Sequence, residues 1–363
     1  MSAFVIAARR TAVVPRGGAF AKLSIEDLAS PVMAQLLRDA GLGAGDVDEV
    51  VCSNALGAGG NPARRVALAA GLPDRVAGLS TDRQCVGGLD ALLIAQAMVA
   101  SGAARVVIAG GVESYSRRPI RLATDPKGGP PKPYEQPPFT PWPDRDPEVT
   151  EAAAALAERL GISRNDQDRL AVLSHACALL AQERMRAEIV PILGQTRDAF
   201  TRPLSLALAA RAATLSGTIS AANTAVAADA AAFVVVTNAQ IAKGRGLRIR
   251  AGITLGANPQ EPALGAIPAM RAALAAGHCG VQELSIVELM EAYAVQAIAC
   301  AEALALPSER LNPGGGALAR GHPIAASGAI LAVRMFHELS SGLGMAAISA
   351  AGGLGTAVVF ERP

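Results

Sequence analysis

Aromatic residues are scarce in this chain. They make up 3% of 363 residues: one tryptophan, three tyrosines and seven phenylalanines. The core must therefore be built from small aliphatic side chains. With hydrophobic residues at 51% and 37 glycines, that composition predicts helices packed closely on sheets. Net charge is also scarce. A balance of +2 gives no global reason to expect nucleic acid or an anionic membrane as partner. Long uncharged apolar runs are missing, because the alanine-rich stretches are broken by glycine, proline or charge, and no membrane span is expected. Arg9 and Arg10 follow the first apolar residues instead of preceding them, which is the wrong order for a secretory signal. The five cysteines, at positions 52, 85, 177, 279 and 300, have neither paired nor zinc-type spacing, which fits a reducing cytoplasm. His278-Cys279 lacks a second pair of ligands, so no metal is expected.

What is present is length for two domains or one duplicated domain, and two stretches that carry chemistry. The first is Thr81-Asp-Arg-Gln-Cys85-Val-Gly-Gly, followed by an alanine- and leucine-rich run to Ala100 without proline. It predicts a buried helix with Cys85 at its N-terminal edge. There, unpaired N–H groups and the helix dipole favour a thiolate, which can lower a cysteine pKa from ~8.5 into the ~3.5–7.5 range. Gly87 and Gly88 would clear space for a substrate. A structural cysteine capping a core helix is the other reading of the same residues. The second stretch is Asn312-Pro-Gly-Gly-Gly-Ala-Leu-Ala-Arg-Gly-His322-Pro-Ile-Ala-Ala-Ser-Gly328, which leads into a helix to about Leu339. His322 thus occupies a position analogous to that of Cys85. A Cys–His pair distant in sequence and adjacent in space suits nucleophilic acyl transfer.

In chain order, Phe4–Ala8 predicts a strand and 24–40 a helix capped by Ser24 and stopped by Gly41. Strands over 47–53 and 105–109 flank helices starting at Pro62 and near Cys85. The second half repeats the scheme: a strand over 284–289, a helix over 292–304, the His322 loop with its helix, and a strand over 346–349 ending at Gly352-Gly353. The first half ends its strand at Gly110-Gly111 in the same way. Each half is a loop–helix–strand–GlyGly unit, and internal duplication is the economical explanation. The expected division is 1–116, an inserted region 117–230 whose second part rejoins the first half, and 231–363. Ten prolines between 119 and 147 exclude regular structure there. That segment reads as an ordered surface loop, or as a lid or oligomer contact. Charged amphipathic helices are expected over 151–160 and 164–187. Gly57–Gly60 and Gly352–Gly355 do not sit between a strand and a helix as nucleotide loops do, and read as tight turns.

Taken together, the motifs resemble those of the thiolases. Gln84-Cys85-Val-Gly-Gly-Leu89 is similar to the family's nucleophile loop and Gly321-His322-Pro-Ile-Ala-Ala-Ser-Gly328 to its histidine loop. Glu291-Ala-Tyr-Ala294 is similar to its acidic-Ala-aromatic-Ala motif, and Ser349-Ala-Ala-Gly-Gly-Leu-Gly355 to its closing turn. Gly110–Ser116 and Gly60–Arg64 match as well, so the similarity runs in order from Phe4 to Glu361. The resemblance implies an α/β fold, the duplicated α-β-α-β-α layered thiolase sandwich with an inserted loop domain that holds coenzyme A. It implies a Cys85 nucleophile with His322 as its base, and oxyanion donors at the N–H of Cys85 and in the turn Ala351, Gly352 and Gly353. It places Met290 and Glu291 beside that turn, and Ala222, Asn223 and Ala225 in the coenzyme-A-binding stretch. Coenzyme A and its acyl thioesters are then substrates, with no permanently bound cofactor, and a homodimer or homotetramer is expected.

Three matched positions depart from the family pattern. Ser349 stands where thiolases carry a second catalytic cysteine, and a hydroxyl is a far weaker acid or base than a thiol. Met290 replaces an Asn or His that helps hold an oxyanion water, and Ala225 replaces a Ser. The first half-reaction, acylation of Cys85, looks intact, whereas carbon–carbon bond formation or cleavage looks impaired. Three functions remain: thiolysis or Claisen condensation of 3-ketoacyl-CoA, acyl transfer to a non-carbon acceptor or water, and a non-catalytic binding subunit.

Overall fold

The structure is a computed structural model that describes residues 2–57 and 59–363. Ala58, inside the Gly57–Gly60 turn, lies outside them. A ten-stranded mixed sheet runs in the order Leu284–Leu289, Gly342–Ala350, Leu354–Arg362, Leu247–Gly256, Ala3–Arg10, Ala228–Asn238, Val106–Ser114, Glu49–Ser53, Leu79–Thr81, with Val14–Pro15 paired on Ala228–Asn238. Its two halves join through a short antiparallel pairing, Phe4 with Arg248 and Val5 with Leu247.

The halves repeat one plan. Ala3–Arg10, Ala228–Asn238 and Val106–Ser114 pair antiparallel and Glu49–Ser53 joins parallel. Leu247–Gly256, Leu354–Arg362 and Gly342–Ala350 do the same, with Leu284–Leu289 parallel. Helices Gly87–Ser101 and Ile324–Glu338 pack on each other and on strands of both halves, while Ile25–Ala40 and Ala266–Ala276 each cover the strands of one half. That is the expected α-β-α-β-α layering. The strand Ala228–Asn238, which closes the first half's sheet, runs across the expected domain limit at 230/231.

The helices start and stop for local reasons. Ser24 accepts from Asp27 N in a reciprocal capping box, and Gly41 ends the helix at φ +67°. Glu148 caps Val149–Leu160 through Thr150 N and Glu151 N. Ser163 caps Arg164–Leu180, which stops at Ala181, short of the expected 187. The proline-rich segment is not wholly irregular. Arg121–Ala123 and Lys132–Tyr134 form a two-stranded hairpin, in which the missing N–H of Pro133 is tolerated because a free edge needs no donor there. By length and composition Gln84–Ser101 could cross a membrane, yet here it is a core helix packed on strands of both halves and on Ile324–Glu338. Small residues make that core dense, with Leu89, Leu92, Ala95, Ala329, Ile330 and Val333 all buried together.

A buried ionic cluster ties the layers together. Arg10 pairs with Glu188 and Asp198 at 2.6 Å each, and Arg334 of the His322 helix pairs with Glu188 at 2.8 Å. Burial alone would raise the Glu188 carboxyl, but the Arg334 and Arg10 guanidiniums hold it at about 2. The five cysteines are all free.

Candidate active site

Cys85 sits in a single 3-10 turn, Gln84–Val86, immediately before the helix Gly87–Ser101. Gln84 takes a left-handed φ of +51°, held by Asp82, which accepts from both its backbone N and its Nε2. Such a turn costs of order 1–3 kcal/mol in a non-glycine residue and aims the following side chain. Arg83 and the hydroxyls of Thr254 and Thr356 converge on Asp90, so the start of this helix is anchored to strands of the other half.

The second loop comes from the equivalent position. Gly321 at φ +111° leads into His322. A Cβ there would meet the Ala228 methyl and Val226 carbonyl at 3.1 and 3.2 Å. The His322 N–H donates to Val226 O at 2.7 Å, which fastens the loop to the 218–229 stretch. Cys85 Sγ and His322 Nε2 are 3.2 Å apart. His322 Nδ1 lies 2.6 Å from Ser327 Oγ. With Nδ1–H donating to that hydroxyl, Nε2 is left as the acceptor for the thiol proton. Sequence reasoning did not single out Ser327.

The electrostatics correct one expectation. Burial pushes the Cys85 thiol up to about 12, against the downward pull of N–H bonds from Cys85 itself and from Ala351. Burial likewise lowers His322 to about 4. The resting pair is a neutral thiol and a neutral imidazole, since desolvation outweighs the helix N-terminus that predicted a thiolate. The N–H groups of Cys85 and Ala351, which both reach the sulfur, are two donors converging on one point.

A cavity of about 370 Å³ opens over the pair. Of the predicted site residues, Cys85, Ala225, His322, Ser349 and Ala351 line it, whereas Ala222, Asn223, Met290, Glu291, Gly352 and Gly353 do not. Met290 is 2% exposed, packed in the central core with its N–H on Ala347 O. Glu291 accepts from Ser174 Oγ, Asn312 Nδ2 and Leu318 N, so it braces the segment ahead of the His322 loop. Asn223 turns away to Asp168 Oδ1 at 3.0 Å. Ala222 is buried beside it. Gly352 and Gly353, at φ +78° and +73°, shape the turn that presents Ala351. Ser349 is engaged on both sides: its hydroxyl donates to Ala263 O at 3.0 Å and accepts from Ala266 N at 2.9 Å.

Several residues here carried no sequence-level assignment. Glu113 is buried behind the pair and accepts from Asn54 Nδ2, Ala55 N, Leu56 N and Ala325 N; burial pushes it up to about 7. Arg121, Glu135, Gln136, Pro137 and Phe139 of the proline-rich segment form one wall of the cavity, and Phe139 also approaches the Gly352 turn. Tyr293 lines the opposite side beside Thr224, whose hydroxyl is buried without a partner. Among the described residues no group of three or more His, Cys, Asp or Glu side chains could hold a metal ion.

The fold and this pair of loops define a class of protein. The thiolase N-terminal domain family matches residues 3–240 and the thiolase C-terminal domain family residues 246–362. The chain belongs to the thiolase family, and its enzymatic type is thiolase acyl transfer. Among particular proteins, it is 37% identical over 379 residues to YhfS of Bacillus subtilis (strain 168), with 99% of both chains covered. It is 33% identical over 376 residues to VraB of Staphylococcus aureus (strain MRSA252), again with 99% of both covered. Both are provisionally named as acetyl-CoA C-acetyltransferases. The crystal structure of the Bacillus anthracis acetyl-CoA acetyltransferase superposes with a TM-score of 0.92 at 30% identity, covering 100% of this chain and 99% of that one.

Proposed function

We propose that this protein transfers acyl groups to and from coenzyme A through an acyl-enzyme on Cys85. The 3.2 Å contact between Cys85 Sγ and His322 Nε2, at the floor of the cavity, carries this reading. As Sγ attacks the carbonyl of an acyl-CoA thioester, His322 Nε2 takes the thiol proton. The oxyanion lies between the Cys85 and Ala351 N–H groups. The intermediate collapses, the C–S bond to coenzyme A breaks, and His322 returns the proton to the departing thiolate. The neutral resting pair suits this order, because charge develops only once the substrate is in place. Ala225 forms part of the wall along which the coenzyme A arm lies, and Asn223 and Ala222 position that stretch from behind.

The names of the similar proteins support acetyl-CoA and its 3-ketoacyl condensation product as substrates. A second reading, transfer to a non-carbon acceptor or water, is favoured by the engagement of both sides of the Ser349 hydroxyl. A homodimer or homotetramer, a cytoplasmic place and a role in lipid metabolism belong to the same reading. They rest on the family resemblance and, for location, on the scattered free cysteines.

Intact-protein mass spectrometry after mixing with acetyl-CoA and longer acyl-CoAs, with peptide mapping, tests the proposal. The expected result is an acyl adduct on Cys85, absent in Cys85→Ala, that is discharged by added coenzyme A or a second acyl-CoA. Decay in water alone would indicate a thioesterase. No adduct with any acyl-CoA would reject the covalent mechanism and favour a binding subunit.

A further inference from the structure

Carbon–carbon chemistry on an acyl-CoA needs a group that removes or returns a proton at the α-carbon. Ser349, at the position expected for it, is bonded to Ala263 O and Ala266 N. His322 holds Nδ1 on Ser327 Oγ and points Nε2 at Cys85 Sγ, 3.2 Å away, so in the acyl-enzyme its one free nitrogen faces the acyl sulfur. Of the other ionisable groups in the cavity wall, the Arg121 guanidinium donates to Ala55 O and has no acceptor for a proton, and Glu135 is 85% exposed and paired with Arg118 at 3.2 Å. The Tyr115 ring is faced by the guanidiniums of Arg118 and Arg16 at 4.7 and 5.5 Å. Tyr293 remains, and it is connected.

Its hydroxyl lies 3.1 Å from Thr150 Oγ1. Thr150 Oγ1 in turn donates to Glu148 Oε1 at 3.0 Å. Because the threonine proton is given to the carboxylate, the threonine oxygen accepts from the phenol. The direction of the chain is therefore set: Tyr293 O–H to Thr150 O–H to Glu148 carboxylate. Glu148 is held in place by Thr150 N and Glu151 N, both at 2.9 Å, and it is exposed, so the chain runs from the cavity wall to solvent. Tyr293 stands at the N-cap position of the helix Ala294–Ala303, and its backbone is held by pairing with Thr224. Burial pushes the phenol up to about 12, against the downward pull of its bond to Thr150, and the Glu148 carboxylate adds to the upward shift.

We propose that Tyr293 exchanges the α-proton of the second acyl-CoA, with Thr150 and Glu148 as the positioning relay that connects it to solvent. The step rests on the acyl-Cys85 reading above. In condensation, the α C–H bond breaks and its proton passes to the phenol oxygen. The phenol proton moves to Thr150, and the threonine proton to Glu148. The released electron pair forms the new carbon–carbon bond at the acyl carbonyl, and the bond from that carbonyl to Cys85 Sγ breaks, leaving a thiolate. Thiolysis is the same sequence reversed, with the phenol protonating the departing enolate. The carbon acceptor is thus an acyl-CoA with at least one α-hydrogen.

The test is deuterium incorporation at the α-carbon of acetyl-CoA in D2O, followed by mass spectrometry beside the rate of Cys85 acylation. In Tyr293→Phe, which keeps the ring, exchange is expected to fall ~100-fold or more beyond any change in acylation, the usual scale of a lost proton-transfer group. Thr150→Val is expected to lower exchange similarly, and Thr150→Ser to restore it. Glu148→Gln, which takes away the carboxylate that accepts from Thr150, is expected to lower exchange as Thr150→Val does. Exchange in Tyr293→Phe at the wild-type rate, or falling only in step with acylation, overturns the proposal. So does a wild-type enzyme that acylates Cys85 but never exchanges. A wild-type enzyme that fails to acylate rejects the acyl-enzyme reading instead, so the two failures are distinguishable.

Discussion

Gly88 and Gly328 face each other where the two central helices cross. A Cβ on Gly88 would stand 2.4 Å from Ala329 N and 2.8 Å from Ala325 O, and one on Gly328 would stand 2.7 Å from Leu89 N. These are backbone atoms, which cannot step aside. The helices carry Cys85 and His322 at their N-terminal ends, so the crossing distance sets the separation of the reacting pair. Gly88→Ala or Gly328→Ala should force the helices apart and cost about 1–3 kcal/mol, as other overpacked cores do. Cys85 acylation should fall ~100-fold, because displacements of about 1 Å are enough for that. Urea unfolding and adduct kinetics measure the two effects. A Gly328→Ala enzyme with wild-type stability and rate would refute the idea that this crossing positions the pair.

The reacting loops were legible because their local chemistry is: a cysteine and a histidine, each before a helix, with glycines where backbones must meet. The duplicated layering was legible in the repeated loop–helix–strand order. Helix caps such as Ser24 and Gly41 were legible for the same local reason. What was not legible depends on contacts between distant segments. The ionisation of Cys85 is decided by burial under the other half of the molecule, which outweighs the helix end that its own sequence advertises. Glu291 and Asn223 share motifs with the site yet point away from it, since a matched position does not say where a side chain turns. Thr150 and Glu148 lie in a charged helix start with no catalytic signature, and only the fold brings them to Tyr293. The proline content between 119 and 147 did not reveal that this segment forms a wall of the cavity.

The neutral Cys85–His322 pair has a consequence for pH. Burial holds His322 at about 4, below its ordinary 6.5, so it remains a base well into acid. Acylation of Cys85 is expected to stay level from neutral pH down to about 5 and to fall only below that, measured by the rate of adduct formation across pH. With the thiol pushed up to about 12, alkylation by iodoacetamide at pH 7 should be slower than that of a free cysteine. The same shift couples to folding. Between 4 and 6.5 the unfolded chain binds a proton at this histidine that the folded one refuses, so the contribution to stability is full above 6.5 and is lost as pH falls toward 4. An acylation rate already halved at pH 6.5 would show that His322 titrates as an ordinary solvated imidazole.

Ser349 separates a structural hydroxyl from a catalytic one. It joins the strand Gly342–Ala350 to the start of the helix Ala266–Ala276, accepting from Ala266 N and donating to Ala263 O. Ser349→Ala leaves a buried backbone donor and acceptor unpaired, at a cost of about 1–3 kcal/mol in urea unfolding. If the hydroxyl moved the α-proton, exchange of acetyl-CoA in D2O would collapse in this variant. With Tyr293 in that role, exchange should fall less than ~5-fold, far short of the ~100-fold scale of a lost proton-transfer group. Ser349→Cys sharpens the contrast. A thiol is a longer and poorer hydrogen-bonding group than a hydroxyl, so it would loosen the Ala263–Ala266 contacts while placing a second ionisable sulfur in the cavity wall. Should Ser349→Cys in a Tyr293→Phe background recover exchange, the cavity accepts a base from either side and Tyr293 occupies the side this chain uses. Should Ser349→Ala alone abolish exchange while Cys85 still acylates, the serine is the proton-transfer group and its bonds to Ala263 and Ala266 must break during turnover.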